Sequence, residues 1–133
     1  MIRIALITAL LLSAAPALAD DAGVIANWYA ALGKPDREKL SALLDGKAII
    51  QLQDLGLEQT KDEFIASMDE WETAVAGAVI RHRIEKNETG SAEVLTCYDF
   101  PDNDILMRER FRIEGEVITG STQETVADNC DAF

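Results

Sequence analysis

Residues 105 to 113 alternate between two kinds of side chain, and this pattern constrains the fold more than any other stretch of the sequence. The odd-numbered positions are apolar apart from one carboxylate, whereas the even-numbered positions are a leucine and arginines. The two sets are Ile105, Met107, Glu109, Phe111 and Ile113, and Leu106, Arg108, Arg110 and Arg112. Successive side chains of a β-strand point to opposite faces of a sheet. The stretch is therefore predicted to be a strand whose odd-numbered face, including Glu109, packs against a core.

The N-terminal residues have the pattern of a secretory signal peptide. Arg3 precedes an uncharged run from Ile4 to Ala19, which ends in the small-x-small sequence Ala17-Leu18-Ala19. A membrane anchor is the alternative, but the run is shorter than the ~20 apolar residues that a helical span needs. We expect residues 1–19 to be removed and residues 20–133 to form one exported domain, periplasmic or secreted.

The composition is strongly acidic. The chain has 24 acidic and 12 basic residues and a net charge of −12, which loss of Arg3 with the signal peptide would change to about −13. A field of this sign repels nucleic-acid phosphates and anionic lipid headgroups. We therefore expect no nucleic-acid partner and, once the signal peptide is removed, no membrane partner.

Cys97 and Cys130 are the two cysteines, and both lie in the part that is expected to be exported, where thiols tend to be oxidised. An intrachain disulfide is the simplest interpretation and would close a loop of about 34 residues, worth roughly 3.5 to 4 kcal/mol by chain entropy. A bridge between chains and a reactive thiol pair are the alternatives, although the spacing is far from C-x-x-C. With a single histidine the chain is too poor in ligands for a zinc site, and it lacks phosphate-loop and dinucleotide motifs. We expect no metal and no cofactor.

Three stretches before residue 78 have helical periodicity. The first ends at residue 33, and the second begins at Pro35 and ends before Gly46. The third begins with a capping box formed by Thr60 and Glu63 and ends before Gly77. Their predicted buried faces are Ile25, Trp28, Tyr29 and Leu32, then Leu40, Leu43 and Leu44, then Phe64, Met68, Trp71 and Val75.

The remaining stretches have the composition of strands. A short strand is predicted over residues 48–53, and four longer ones over residues 78–86, 92–100, 105–113 and 116–126. The loops between the last four are short, with Glu114-Gly115 as a two-residue hairpin loop, which favours an antiparallel meander. Helices followed by strands are typical of an α+β fold, in which the helices cover one face of a sheet.

This order of elements resembles the nuclear transport factor 2 (NTF2)-like superfamily, which includes ketosteroid isomerase and the SnoaL-like polyketide cyclases. The similarity is carried by three segments: Ile25-Ala26-Asn27-Trp28-Tyr29-Ala30-Ala31-Leu32, Leu40-Ser41-Ala42-Leu43-Leu44 and Arg108-Glu109-Arg110-Phe111-Arg112-Ile113. The resemblance implies an α+β roll in which three N-terminal helices pack on a strongly curved mixed or antiparallel sheet. It also implies a pocket between helices and sheet, where family members bind a ligand or perform chemistry.

The resemblance does not extend to a complete isomerase site. The tyrosine of the isomerase's first helix aligns with Trp28, next to Tyr29, and its basic carboxylate falls near Leu52. The isomerase's other acidic site residue, which lies later in the chain, has a counterpart at Glu109. Abstraction of a proton needs a base beside an oxyanion donor, so ketosteroid isomerase activity is not expected.

Glu109 and His82 are the candidate catalytic residues. Both fall on the apolar faces of their strands, where loss of hydration favours the neutral form and suits a general acid or base. The alternative is a structural role, with Glu109 satisfied by a partner such as Tyr98 or His82. The candidate ligand contacts are Trp28, Tyr29, Tyr98, Met107 and Phe111, for which packing in the core is the alternative.

The opposite, outer face of the predicted sheet carries a basic stripe. Its members are Arg81, Arg83, Arg108, Arg110 and Arg112. In so acidic a chain they are expected to meet carboxylates such as Glu85, Glu93 or Asp99 across the strands. Several NTF2-like proteins dimerise through this face, so the resemblance also implies a homodimer as a possibility. Cys97 shares the outer face, which would fasten the C-terminal tail across the back of the sheet.

These observations leave three hypotheses of function. In the first, an exported domain binds a small organic molecule in a mainly apolar pocket. In the second, the pocket belongs to a cofactor-free isomerase, cyclase or hydrolase that uses Glu109 as general acid or base, assisted by His82. In the third, the chain is a dimeric interaction module that works through the outer sheet face.

Overall fold

The computed structural model describes residues 21–133, so the predicted signal peptide lies outside the described residues. Four helices and a short 3₁₀ turn are present: α1 Asp21–Gly33, α2 Arg37–Leu43, the turn Gln53–Leu55, α3 Lys61–Ala66 and α4 Met68–Val75. The strands are β1 Leu44–Leu52, β2 Leu57–Thr60, β3 Val79–Glu88, β4 Ser91–Asp99, β5 Asp104–Glu114 and β6 Val117–Ala127. This arrangement confirms the predicted α+β class.

The six described strands form one mixed, curled sheet in the order β2-β1-β6-β5-β4-β3. Strands β3 to β6 form the predicted antiparallel meander, and β1 pairs with β6 in parallel. The last hairpin turns at Gly115 and Glu116, one residue later than predicted, because Glu114 still pairs with Val117. Gly115 has φ 63°, a left-handed conformation that glycine adopts without a steric penalty.

The second helix and first strand meet at a different residue from the one predicted. The helix begins at Arg37 rather than at Pro35, and Asp36 is its N-cap: the Asp36 carboxylate accepts a hydrogen bond from the Lys39 backbone N–H at 3.0 Å. Leu44, predicted to be in the buried face of the helix, is already extended and begins β1. The first strand therefore begins at Leu44, earlier than the predicted residue 48. An apolar residue at the boundary between a helix and a strand fits the periodicity of either element.

The third predicted helix is two helices. Its capping box is confirmed, since Thr60 Oγ1 accepts from the Glu63 N–H and the Glu63 carboxylate accepts from the Thr60 N–H. The helix stops at Ala66, and the Ser67 hydroxyl donates to the Phe64 carbonyl at 2.6 Å. A serine that bonds back to the preceding turn bends a helix, and the chain restarts as α4.

Strand β2 was not predicted. Its four residues pair with β1 at the edge of the sheet and are mostly exposed, so they lack the alternation that marks a half-buried strand. The turn before it contains Gly56 at φ 61°. The residues that follow the predicted first strand therefore form a tight turn into a second strand.

The predicted register of β5 is confirmed. Glu109, Phe111 and Ile113 are buried on the inner face, under the helices, whereas Arg110 on the outer face has a half-exposed side chain. Leu106, which points outward, is also buried, because the C-terminal tail covers it. The predicted intrachain disulfide between Cys97 and Cys130 fastens that tail, with the two Cα atoms 5.7 Å apart.

Candidate functional site

A cavity of about 470 Å³ opens between α3, α4 and the inner face of the sheet. Its described lining is mainly apolar and aromatic, with a few polar residues. The lining residues are Leu32, Leu52, Gln59, Phe64, Ser67, Met68, Glu70, Trp71, Ala74, Tyr98, Phe100, Ile105, Met107 and Gln123. A concave apolar site with a few polar groups is the usual form of a small-molecule site.

Three aromatic rings form one wall of this cavity. The Tyr98 and Phe100 rings are nearly parallel, with centroids 6.3 Å apart, because both residues point to the same side of the chain at the end of β4. The Trp71 ring stands edge-on to both, at 5.9 and 6.1 Å. The Trp71 indole N–H donates to the Leu32 carbonyl at 2.9 Å, which fixes the orientation of the ring.

Behind this wall lies a buried hydrogen-bond network centred on Glu109. The Tyr98 hydroxyl donates to Glu109 Oε1 at 2.8 Å and lies 3.0 Å from Oε2. The Tyr29 hydroxyl donates to Oε1 at 2.6 Å and is 2.8 Å from Thr96 Oγ1. Because Tyr29 gives its single proton to the carboxylate, Thr96 must be the donor to Tyr29. Glu109 has 0% exposure and is fully enclosed by these groups.

Burial dominates the electrostatics of this network. It raises the pKa of Glu109, and the hydrogen bonds from Tyr29 and Tyr98 oppose that rise without cancelling it. Burial, and then the nearby Glu109 charge, raise the pKa of both tyrosines well above the ordinary value. Tyr98 is the member of the network that lines the cavity, whereas Glu109 itself does not line it.

His82 lies on the inner face but does not line the cavity. Its ring stacks on Tyr29 with centroids 4.7 Å apart, and partial burial lowers its pKa. Within residues 21–133, no hydrogen bond joins His82 to Glu109, and Tyr29 stands between them. The two candidate catalytic residues are thus in one cluster but are not a hydrogen-bonded pair.

The five candidate ligand contacts divide into two groups. Tyr98 and Met107 line the cavity. Trp28 and Phe111 are fully buried and pack edge to face at 6.1 Å, and Tyr29 belongs to the Glu109 network. The tyrosine of α1 that reaches the acid is Tyr29, not the residue at the aligned position, Trp28.

Two of the cavity's lining residues, Tyr98 and Met107, were among the candidate ligand contacts, and those that sequence reasoning missed include Gln59, Phe100 and Gln123. Phe100 lies two positions after Tyr98, so strand alternation would have placed both on one face. Gln123 lies directly opposite Glu109 on β6, which the register shows but the sequence alone does not. Gln59 belongs to the strand that was not predicted.

The outer face carries the predicted basic stripe, and its ion pairs are partly those predicted. Arg110 pairs with Glu93 at 2.9 Å and with Glu124 at 3.3 Å, and Arg108 lies 3.3 Å from the same Glu93. Glu93 was among the expected partners and Glu124 was not. A polar groove of about 590 Å³ runs beside these pairs on the same face.

Within residues 21–133, no cluster of three or more histidine, cysteine or acidic side chains is arranged to hold a metal ion. None of the helices in the described residues is long and apolar enough to cross a membrane.

No family model matches the sequence, and no curated protein matches it significantly. Solved structures with the same fold do match. An NTF2-like protein of unknown function from Burkholderia xenovorans aligns with a TM-score of 0.68 at 15% identity, over 84% of this chain and 86% of that one. A protein from Sphaerobacter thermophilus aligns with a TM-score of 0.68 at 16% identity, over 84% and 100% of the two chains.

A third match is a ketosteroid isomerase-like protein from Catenulispora acidiphila, whose structure is a complex with trimethylamine. It aligns with a TM-score of 0.56 at 15% identity, over 79% of this chain and 87% of that one. Identities this low establish the fold and leave activity open. The chain therefore has the NTF2-like fold, the cone-shaped α+β architecture that it shares with ketosteroid isomerase-like proteins.

Proposed function

We propose that this protein is an exported binding protein that holds a small, mainly apolar organic molecule in the cavity between α4 and the sheet. The observation that carries the proposal is the mainly apolar and aromatic lining of this cavity, whose volume of about 470 Å³ suits a small organic molecule.

The surroundings of Glu109 favour binding over chemistry. A general acid must lie within hydrogen-bond reach of the group that it protonates. Glu109 is enclosed by Tyr29, Tyr98 and Thr96 and does not line the cavity. Each of these hydroxyls has a hydrogen-bond partner within the network. The role of the network is therefore to hold α1 and β4 against β5.

Export is supported by the Cys97–Cys130 disulfide, since such bonds persist in oxidising compartments. The predicted signal peptide supports the same location.

Binding can be tested with N-phenyl-1-naphthylamine, a neutral apolar dye that fluoresces when it leaves water. We expect saturable binding to the wild-type protein at one site. Ala74→Trp would place an indole in the mouth of the cavity and should weaken binding at least tenfold. Thr73→Trp is the matched control, because Thr73 is exposed on the same helix and does not line the cavity.

Absence of saturable binding, or equal loss of binding in both tryptophan variants, would contradict the proposal. Native mass spectrometry of protein purified from its own host provides an independent measurement. A co-purified small molecule that is lost in the Ala74→Trp protein and kept in the Thr73→Trp protein is the expected result.

A further inference from the structure

We infer that the cavity selects an organic cation, such as an amine or a quaternary ammonium compound, over a neutral or anionic molecule of the same shape. This inference rests on the proposed binding function and specifies the class of ligand. It follows from three features of the described lining: its aromatic faces, its one carboxylate and the lack of basic residues.

Four of the fourteen described residues that line the cavity are aromatic. Phe64, Trp71, Tyr98 and Phe100 all line it. The face of an aromatic ring carries negative electrostatic potential, so a cation within about 6 Å of the ring is attracted, most strongly to tryptophan and tyrosine. The Tyr98 hydroxyl also donates to Glu109, which places a buried carboxyl group at the hydroxyl end of that ring.

Glu70 supplies negative charge at the cavity mouth. Its neighbours on α4, Asp69 and Glu72, both form ion pairs with Arg37. The Glu70 carboxylate forms no ion pair or hydrogen bond with any other residue of the described chain, and Glu70 lines the cavity. A carboxylate with no cationic partner beside an aromatic site can pair with a cation carried by the ligand.

Basic groups are missing where an anionic ligand would need them. None of the described residues that line the cavity is a lysine, arginine or histidine. The polar groups there include the carboxamides of Gln59 and Gln123, whose oxygens can accept hydrogen bonds from an ammonium group. The net charge of −12 favours approach of cations in the same way.

Two isosteric probes separate charge from shape. Benzyltrimethylammonium and neopentylbenzene differ by a positively charged nitrogen in place of a carbon, and phenylacetate supplies the anionic comparison. Displacement of N-phenyl-1-naphthylamine would be measured for each probe. We expect the cation to bind about tenfold more tightly than neopentylbenzene, which corresponds to about 1.4 kcal/mol, and phenylacetate to bind most weakly.

Variants test whether the preference comes from the cavity or from the net charge. Glu70→Gln should lower the affinity for the cation severalfold more than it changes the affinity for neopentylbenzene. Glu85→Gln removes the same charge from an exposed residue outside the cavity and should change neither. Phe100→Leu keeps apolar contact area but removes a ring face, and it should reduce the cation preference.

The inference is overturned if neopentylbenzene binds as tightly as the cation, or if Glu85→Gln weakens cation binding as much as Glu70→Gln. In both cases, binding of N-phenyl-1-naphthylamine and neopentylbenzene would still support the proposed function. If neither the dye nor any of the three probes binds, the proposed function fails and the inference fails with it.

Discussion

Replacing Glu109 with leucine tests whether this carboxyl group holds the inner face of the sheet together. Leucine fills a similar volume but accepts no hydrogen bond. Tyr29 would keep Thr96 as a partner, whereas Tyr98 would lose its acceptor in a fully enclosed site. A buried polar group left without a partner costs about 1–3 kcal/mol.

The free energy of unfolding should therefore fall by about 1–3 kcal/mol in Glu109→Leu. In a chain of this size each kcal/mol corresponds to a fall in melting temperature of about 4 °C. Glu109→Gln keeps one acceptor oxygen within reach of both tyrosines and should cost less than half as much. Urea denaturation followed by tryptophan fluorescence would measure both variants.

A double-mutant cycle makes the test specific to the hydrogen bond. In Tyr98→Phe/Glu109→Leu both partners are removed, so no hydroxyl is left unsatisfied. We expect the double variant to recover at least half of the loss seen in Glu109→Leu. Additive losses in the two single variants, or a Glu109→Leu protein as stable as wild type, would refute the structural role assigned to Glu109.

Three further predictions concern stability. Burial raises the pKa of Glu109 above 4.5, so the contribution of Glu109 to the free energy of unfolding is fully present below pH 4.5 and is lost as the pH rises through the raised pKa. The difference in free energy of unfolding between wild type and Glu109→Leu should therefore shrink from pH 4.5 to pH 8 in urea titrations. A constant difference would contradict the raised pKa. Replacing Cys97 and Cys130 with alanine should lower the free energy of unfolding by roughly 3.5 to 4 kcal/mol, and reducing agent should destabilise the wild type but not this variant. Thr60→Ala removes one half of the capping box and should cost about 1 kcal/mol, which thermal melts can detect; an unchanged melt would show that tertiary contacts alone hold α3.

Much of the fold could be predicted because alternation is a strong signal where one sheet face is buried. The period of residues 105–113 placed Glu109 inside and Arg110 outside, and the alternation along β4 placed Cys97 on the outer face. Strand β2 escaped prediction because its exposed residues carry no such contrast. The break at Ser67 depends on one side-chain hydrogen bond, which apolar periodicity does not report.

The candidate site could be predicted less well than the fold. The sequence identified Glu109 and its partner Tyr98, because both lie on strands with clear registers. It did not show that the acid would be enclosed rather than open to the cavity. That outcome depends on where the hydroxyl of Tyr29 reaches from α1, 80 positions away in the chain. Long-range placement of this kind requires the assembled structure.

The disulfide affects the fragments that proteolysis of this protein would produce. The turn at Gly115 lies within the covalent loop that Cys97 and Cys130 close, together with all of β5 and β6. A protease that cut at this turn would produce two polypeptides that migrate as one until a reductant separates them. The strand that carries Glu109 would thus stay tethered to its neighbour after the backbone between them had been severed.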